Sequence, residues 1–242
     1  MRHWNTAITA KITTLDVMTE PLSREQHPDA TDKYPVKASK VLFDGPIIAV
    51  RQDTIDGPTG EMTREIVEHF SAVAIAPVRD GKVLLIRQYR HGVGRYLWEI
   101  PAGLLDMAGE NPLDAARREL AEEAGLVAER WHLLGDVVTS PGFCEEFTRI
   151  YLAEGLSNDL NELDFEIPDP EHEEADLETR WVPVQEAIEW VQMGKVENSI
   201  AVAALLHLAV GTKRDVSEPY YYHSGMAERR GHEPGQDMKF VR

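Results

Sequence analysis

The chain has 242 residues, 43% of them hydrophobic, enough for one substantial domain with extensions or at most two small ones. With 42 acids against 25 bases the formal net charge is −17, which argues against nucleic-acid or membrane-surface partners held by non-specific attraction. The sole cysteine, Cys144, excludes an intrachain disulfide framework and suits a reducing cytosol.

Residues 1–39 read as a polar extension: "TEPLSREQHPDATDKYPVKASK" is rich in Pro, Ser, Thr and charge and holds no sustained period. The first twenty residues lack an apolar core followed by a small-residue cleavage site. The longest apolar stretch, "IAVAALLHLAV", is broken by His207 and too short for a bilayer, so the cytoplasm is the expected compartment. A domain is expected over 40–211. "KVLFDGPIIAVRQDTI", "REIVEHF" and "SAVAIAPV" read as strands interrupted by "DGPTGE". "DGKVLLIRQYR" reads as a turn and a buried strand, and "YLWEIPAG" as a short strand ending at Pro101.

A helix follows. Asn111 is a good N-cap, Pro112 suits the first helical position, Asp114 sits where a capping box places its acid, and Gly125 is the stop. Leu113, Ala116, Leu120 and Ala124 fall on one stripe. "WHLLGDVVTS" and "FTRIYLAEGL" read as strands joined through "SPGFCEE". An acidic loop, "NDLNELDFEIPDPEHEEADLE", leads to a last strand, "TRWVPV". Two helices come next, "QEAIEWVQMG" and "NSIAVAALLHLAV", the second capped by Asn198 and ending near Gly211. The segment 212–242 carries no recognisable period. The order of elements is mixed, without a regular βαβ alternation, and no Gly-x-Gly-x-x-Gly or phosphate-binding Gly-Lys loop occurs.

The helix holds a contradiction. Glu119, Glu122 and Glu123 crowd its last turns, where the helix dipole disfavours acids by about 0.3–1 kcal/mol each. At spacings of three and four they share a face and repel by roughly 0.2–0.5 kcal/mol per pair. Arg118, four residues before Glu122, offsets part of this. A hard divalent cation such as Mg²⁺ would reverse the balance, since it takes carboxylate oxygens. A solvated acidic face is the plain alternative, and periodicity alone does not choose between them.

The surrounding residues add more. Gly103, Glu110, Arg118-Glu119-Leu120, Glu122-Glu123 and Gly125-Leu126 resemble the signature of the Nudix hydrolases. One departure stands out: six residues, where the family has five, separate Gly103 from Glu110. "VEHFSAVAIAPVRDGKVLLIRQYRHGVGRYLWEIPAGLLD", "SPGFCEE", "EHEEADLETRWVP" and "GKVENSIAVAALL" resemble the ADP-ribose pyrophosphatase branch. The likeness spans roughly 40–211 and leaves out both extensions.

The resemblance implies an α/β (α+β) fold, an α/β/α sandwich with a mixed sheet. A small antiparallel N-terminal region over 40–70 would build a homodimer in which substrate bridges both subunits. It implies Mg²⁺, with Mn²⁺ as a substitute, held by Glu119, Glu123, Glu122 and the carbonyl of Ala102. It implies a base on the acidic loop, where Glu173 and Glu174 are rivals. Arg64, Arg90, Leu104 and Glu146 match substrate-contacting positions, and Glu145 reads as a spectator. Glu99 either joins the metal network or pairs with Arg118. Trp98 and Trp181 read as core, and Cys144 as no nucleophile. The implied reaction is cleavage of ADP-ribose to AMP and ribose 5-phosphate. Two rivals remain: a Nudix enzyme for another nucleoside diphosphate sugar or an oxidised nucleotide, and a non-catalytic ADP-ribose sensor with a DNA-binding appendage. The complete set of box acids, the short tail and the acidic balance speak against the sensor.

Overall fold

A computed structural model describes residues 34–162, 177–220, 222 and 224–241. Glu173 and Glu174, with most of their loop, lie outside them, as do the first 33 residues. Strands β1 (Val36–Asp44), β2 (Ile48–Gly57) and β3 (Gly60–His69) form an antiparallel sheet in that order. The first strand begins at Val36, before the expected boundary at Lys40, because "VKASKVLFD" pairs along β2 from Val36↔Ile55 to Asp44↔Ala49. Gly60 closes the β2–β3 hairpin at φ 121°, a conformation that side chains resist.

Seven strands make the second, mixed sheet: β4 (Ala72–Arg79), β5 (Lys82–Arg90), β6 (Arg95–Glu99), β7 (Ala102–Leu104), β8 (Val127–Val138), β9 (Phe147–Ser157) and β10 (Glu178–Pro183). Asp80 (φ 52°) and Gly81 (φ 69°) turn β4 into β5 in the left-handed pair that an Asp-Gly hairpin favours. Only Val78↔Val83 and Arg79↔Lys82 join these two strands, so the sheet opens into two wings. In one, β4 runs parallel to β9 and antiparallel to β7; in the other, β5 takes β6 and β10 as neighbours.

Alternation along the strands sends apolar side chains to both faces. Val73, Ile75, Leu133 and Tyr151 pack with Ala115, Ala116 and Leu120 of helix α1 (Pro112–Ala124). Ala74, Ala76, Leu134 and Ile150 pack with Ala187 and Trp190 of α2 (Val184–Gln192) and with Ala201, Ala204 and Leu205 of α3 (Ser199–Val210). This is the expected α/β/α layering. Trp98 and Trp181 pack against these two cores, as read from the sequence.

The segment after Gly211, which shows no period, is nonetheless built into the fold. Arg214 exchanges backbone hydrogen bonds with Leu133 of β8 (2.9 and 3.0 Å). The buried Arg149 guanidinium then donates to the carbonyls of Glu218 (2.8 Å) and Pro219 (2.9 Å) while forking onto Asp136. Tyr220 and Tyr222 close on Phe147, and Tyr222 and Ser224 donate their hydroxyls to the carbonyl of His69. A short helix α4 (Gly225–Arg230), capped by Ser224, buries Met226 against Ala49 and Phe70. Long-range pairing, not local periodicity, holds this strap.

Candidate active site

Helix α1 starts and stops where its chemistry dictates. The Asn111 side chain accepts from the Leu113 N–H at 2.9 Å, and Gly125 ends the helix at φ 61°. Asp114 differs from the expected capping-box acid: it turns outward to Arg117 at 2.8 Å. The apolar stripe anchors the helix on β4 and β8, and this carries the acids to the rim of β7. Glu123 accepts the Ala102 N–H at 2.9 Å, tying the last turn to the strand that the resemblance makes a ligand. The Glu119 carboxyl lies on the Cα of Gly103. A Cβ there would stand 1.8 Å from the Glu119 Cδ, so only glycine leaves the acid its place.

Arg118 stands among the acids. Its guanidinium donates to Glu119 at 2.6 Å, to Glu122 at 3.0 Å and to Glu110 at 3.2 and 3.3 Å. Burial pushes the Glu119 carboxyl up to about 7; Arg118 opposes that shift, and the Glu122 and Asp106 charges add to it. As the side chains stand, no three His, Cys, Asp or Glu among the described residues converge on one metal position. The donor set still suits a hard divalent cation. Glu119, Glu122 and Glu123 offer carboxylate oxygens from one helical turn, Ala102 lies against that turn, and Gly103 leaves room for the innermost carboxyl.

The other predicted residues separate into groups. Arg90 forks onto the buried Glu99 (2.9 and 2.7 Å), so Glu99 pairs with Arg90 and not with Arg118. Arg90 is thus oriented by a buried carboxylate, with its side chain 42% exposed. Leu104 follows Gly103 on β7 and packs beside Phe70 and Ala108. Glu146 accepts from the Thr139 hydroxyl and lies 3.6 Å from His69 Nδ1, at the end of β9 that pairs β4 beside Leu104. Arg64 stays on β3, bonded to the Thr63 carbonyl (2.8 Å) and Met62 Sδ; no hydrogen bond or ion pair described joins it to the acids of α1.

Two carboxylates have structural partners that the sequence did not disclose. Glu145, read as a spectator to the chemistry, accepts from the Gly225 N–H (2.8 Å) and from Arg51 (3.0 Å), which also holds the fully buried Glu68. The second is Asp106, for which the sequence suggested no role. It is buried beside the Glu119 carboxyl and ion-paired to Lys239 at 2.6 Å. Its position within the box loop was the available signal. The Cys144 thiol is pushed up by burial, consistent with an unreactive side chain.

A helix that presents three acids beside a glycine-bearing turn defines a class. The NUDIX domain model matches residues 68–203. The chain is 48% identical over 171 residues to an ADP-ribose pyrophosphatase of Mycobacterium tuberculosis, covering 70% of this chain and 80% of that protein. It is 35% identical over 169 residues to a methanol dehydrogenase activator of Bacillus methanolicus, covering 69% of this chain and 88% of the relative. Among solved structures, one described as an ADP compounds hydrolase superposes with a TM-score of 0.62 at 23% identity. It covers 74% of this chain and 93% of that one, a likeness of fold. The chain belongs to the NUDIX family.

Proposed function

We propose that this chain is a divalent-cation-dependent hydrolase that cleaves ADP-ribose into AMP and ribose 5-phosphate. The observation that carries the reading is the Glu119 carboxyl seated on Gly103 beside Glu122 and Glu123, within a chain 48% identical to an ADP-ribose pyrophosphatase. Glu119, Glu122, Glu123 and the Ala102 carbonyl would hold Mg²⁺ or Mn²⁺. When bound, the cation neutralises the diphosphate and acidifies the attacking water. The chain's own residues do the rest. Glu123, fixed to the Ala102 N–H, keeps the helix end against the substrate-facing turn. Arg90, oriented by Glu99, presents N–H groups to a phosphate. Leu104 and Glu146 border the substrate, and Glu173 or Glu174 takes the proton from water. Arg64, whose hydrogen bonds described run to Thr63 and Met62, would act across a homodimer. The homodimer reading is supported by β1, exposed along its whole length, where Val36, Val41, Leu42 and Phe43 leave apolar side chains uncovered. A cytoplasmic location is part of this reading; among the described residues no helix is long and apolar enough to cross a membrane.

Turnover of ADP-ribose, ADP-glucose, NADH and 8-oxo-dGTP, each with and without Mg²⁺, tests the reading. ADP-ribose is expected to give the highest kcat/KM, and no turnover of it with Mg²⁺ present refutes the proposal. Comparing Glu173→Gln with Glu174→Gln assigns the base: one loses activity, and near-full activity in both moves the role elsewhere.

A further inference from the structure

The box loop between Gly103 and Glu110 is held from outside the family domain. Residues 106–108 lie antiparallel to residues 235–238 of the C-terminal segment through the bridge Met107↔Asp237. Ala108 N–H donates to the Gln236 carbonyl (2.9 Å), Gly235 N–H to the Ala108 carbonyl (2.7 Å) and Met238 N–H to the Asp106 carbonyl (2.8 Å). Lys239 Nζ completes the join on the buried Asp106 carboxylate at 2.6 Å. The added segment is itself anchored. The Arg230 guanidinium, 3% exposed, donates to the carbonyls of Gly45 (2.9 Å), Pro46 (3.2 Å) and Met238 (3.3 Å) and pairs with Asp44. An open pocket of about 200 Å³ beside the loop is lined by Leu105, Met107 and Glu110 together with Tyr220, Tyr222 and Met238.

We propose that Lys239 is a positioning residue for hydrolysis: with the 235–238 segment it fixes the box loop, and so holds Gly103 and Leu104 at one end and Glu110 at the other against α1. The proposal rests on α1 being the catalytic centre. Glu110 takes two guanidinium nitrogens of Arg118, and Arg118 holds Glu119 and Glu122, so displacement of the loop passes directly to the acids. Lys239 touches no substrate in this scheme. It acts through Asp106.

Lys239→Met, Lys239→Arg and the control Lys213→Met test this in the full chain. Lys213 belongs to the same segment but pairs with Glu154, away from the box. Three readouts are taken: kcat and KM, amide hydrogen exchange by peptide, and Tm. In Lys239→Met, kcat should fall on the order of tenfold, short of the ~10²-fold that a full 1 Å misplacement can cost. KM should change less than twofold, and exchange should quicken in 104–110 and 235–238 while β4 and β9 stay protected. Lys239→Arg should restore most of kcat, and Lys213→Met should match wild type. Unchanged kcat in Lys239→Met overturns the proposal; so does a fall in kcat accompanied by faster exchange throughout and a lower Tm, which marks a merely structural role. Failure of the functional reading looks different: wild type itself leaves ADP-ribose intact. The variant ratio is then read on whichever nucleotide of the panel wild type cleaves.

Discussion

Replacing Gly103 with alanine separates the chemistry of the box from the stability of the fold. The new Cβ would stand 1.8 Å from the Glu119 Cδ, 2.0 Å from Oε1 and 2.3 Å from Oε2, where 3.0 Å is the closest that real Cβ atoms approach. The carboxyl must therefore retreat by at least 1.2 Å, the difference between 3.0 and 1.8 Å. Gly103 is not among the glycines at positive φ, so alanine meets no backbone strain there. The retreat pulls Glu119 from its 2.6 Å contact with Arg118, a charged hydrogen bond of a kind worth about 1.5–3 kcal/mol. A loss of that size lowers Tm by about 3–12 °C in a chain of this length, at roughly 2–4 °C per kcal/mol. Activity should suffer far more, since 1 Å of misplacement at a reacting centre can cost ~10²-fold. Following AMP release from ADP-ribose at saturating Mg²⁺, with Tm measured alongside, checks both halves. A Gly103→Ala enzyme within twofold of wild-type kcat would refute the placement of Glu119 at the chemistry.

Three further outcomes are expected. Glu123→Gln keeps an acceptor for the Ala102 N–H, so circular dichroism should be unchanged; turnover should fall by more than the ~10–100-fold that loss of an outer partner costs. Phe43→Arg places a charge on the exposed apolar face of β1, and light scattering should show the mass halved relative to wild type. Glu68 supplies the pH test. Burial would raise its pKa, but Arg229 and Arg51 outweigh burial and hold the carboxyl below the usual 4.5. The unfolded chain then binds the extra proton, so the Glu68 contribution is complete above about 4.5 and fades as pH drops below it. Urea titrations from pH 7 to 4 should show that decline, and Glu68→Gln should flatten it.

What could be read from the sequence followed how local its causes are. Asn111, Pro112 and Gly125 set the ends of α1 through contacts within a few residues, and all three act in the structure as expected. The strands β4, β5 and β9 are apolar on both faces, and their runs are equally legible. The strap is different. Its ties join residues far apart in the chain, such as Arg229 to Glu68 and Lys239 to Asp106, and none leaves a period in "KRDVSEPYYYHSGMAERRGHEPGQDMKFVR". Side-chain partners were also hidden. The position of Glu99 before the Pro101 turn could be read, but its pairing with Arg90 and not with Arg118 is a tertiary side-chain contact that leaves no local pattern. Glu145 and Glu146, adjacent in sequence, point to different neighbours, and only the fold shows which of them belongs to the strap.

The one departure from the signature spacing meets the C-terminal segment. An added residue between Gly103 and Glu110 lengthens the loop, and ordering one more residue costs roughly 1–2 kcal/mol. Gly109, at φ 78°, lets the longer loop turn into α1 without strain. Three backbone hydrogen bonds with the 235–238 segment, at about 0.5–1.5 kcal/mol each, offset that entropy before the Lys239–Asp106 pair is counted. The C-terminal segment thus restrains the longer loop through these bonds. A chain at −17 can place Asp106 so near the box acids because Lys239 answers it, which leaves Arg118 to Glu110, Glu119 and Glu122.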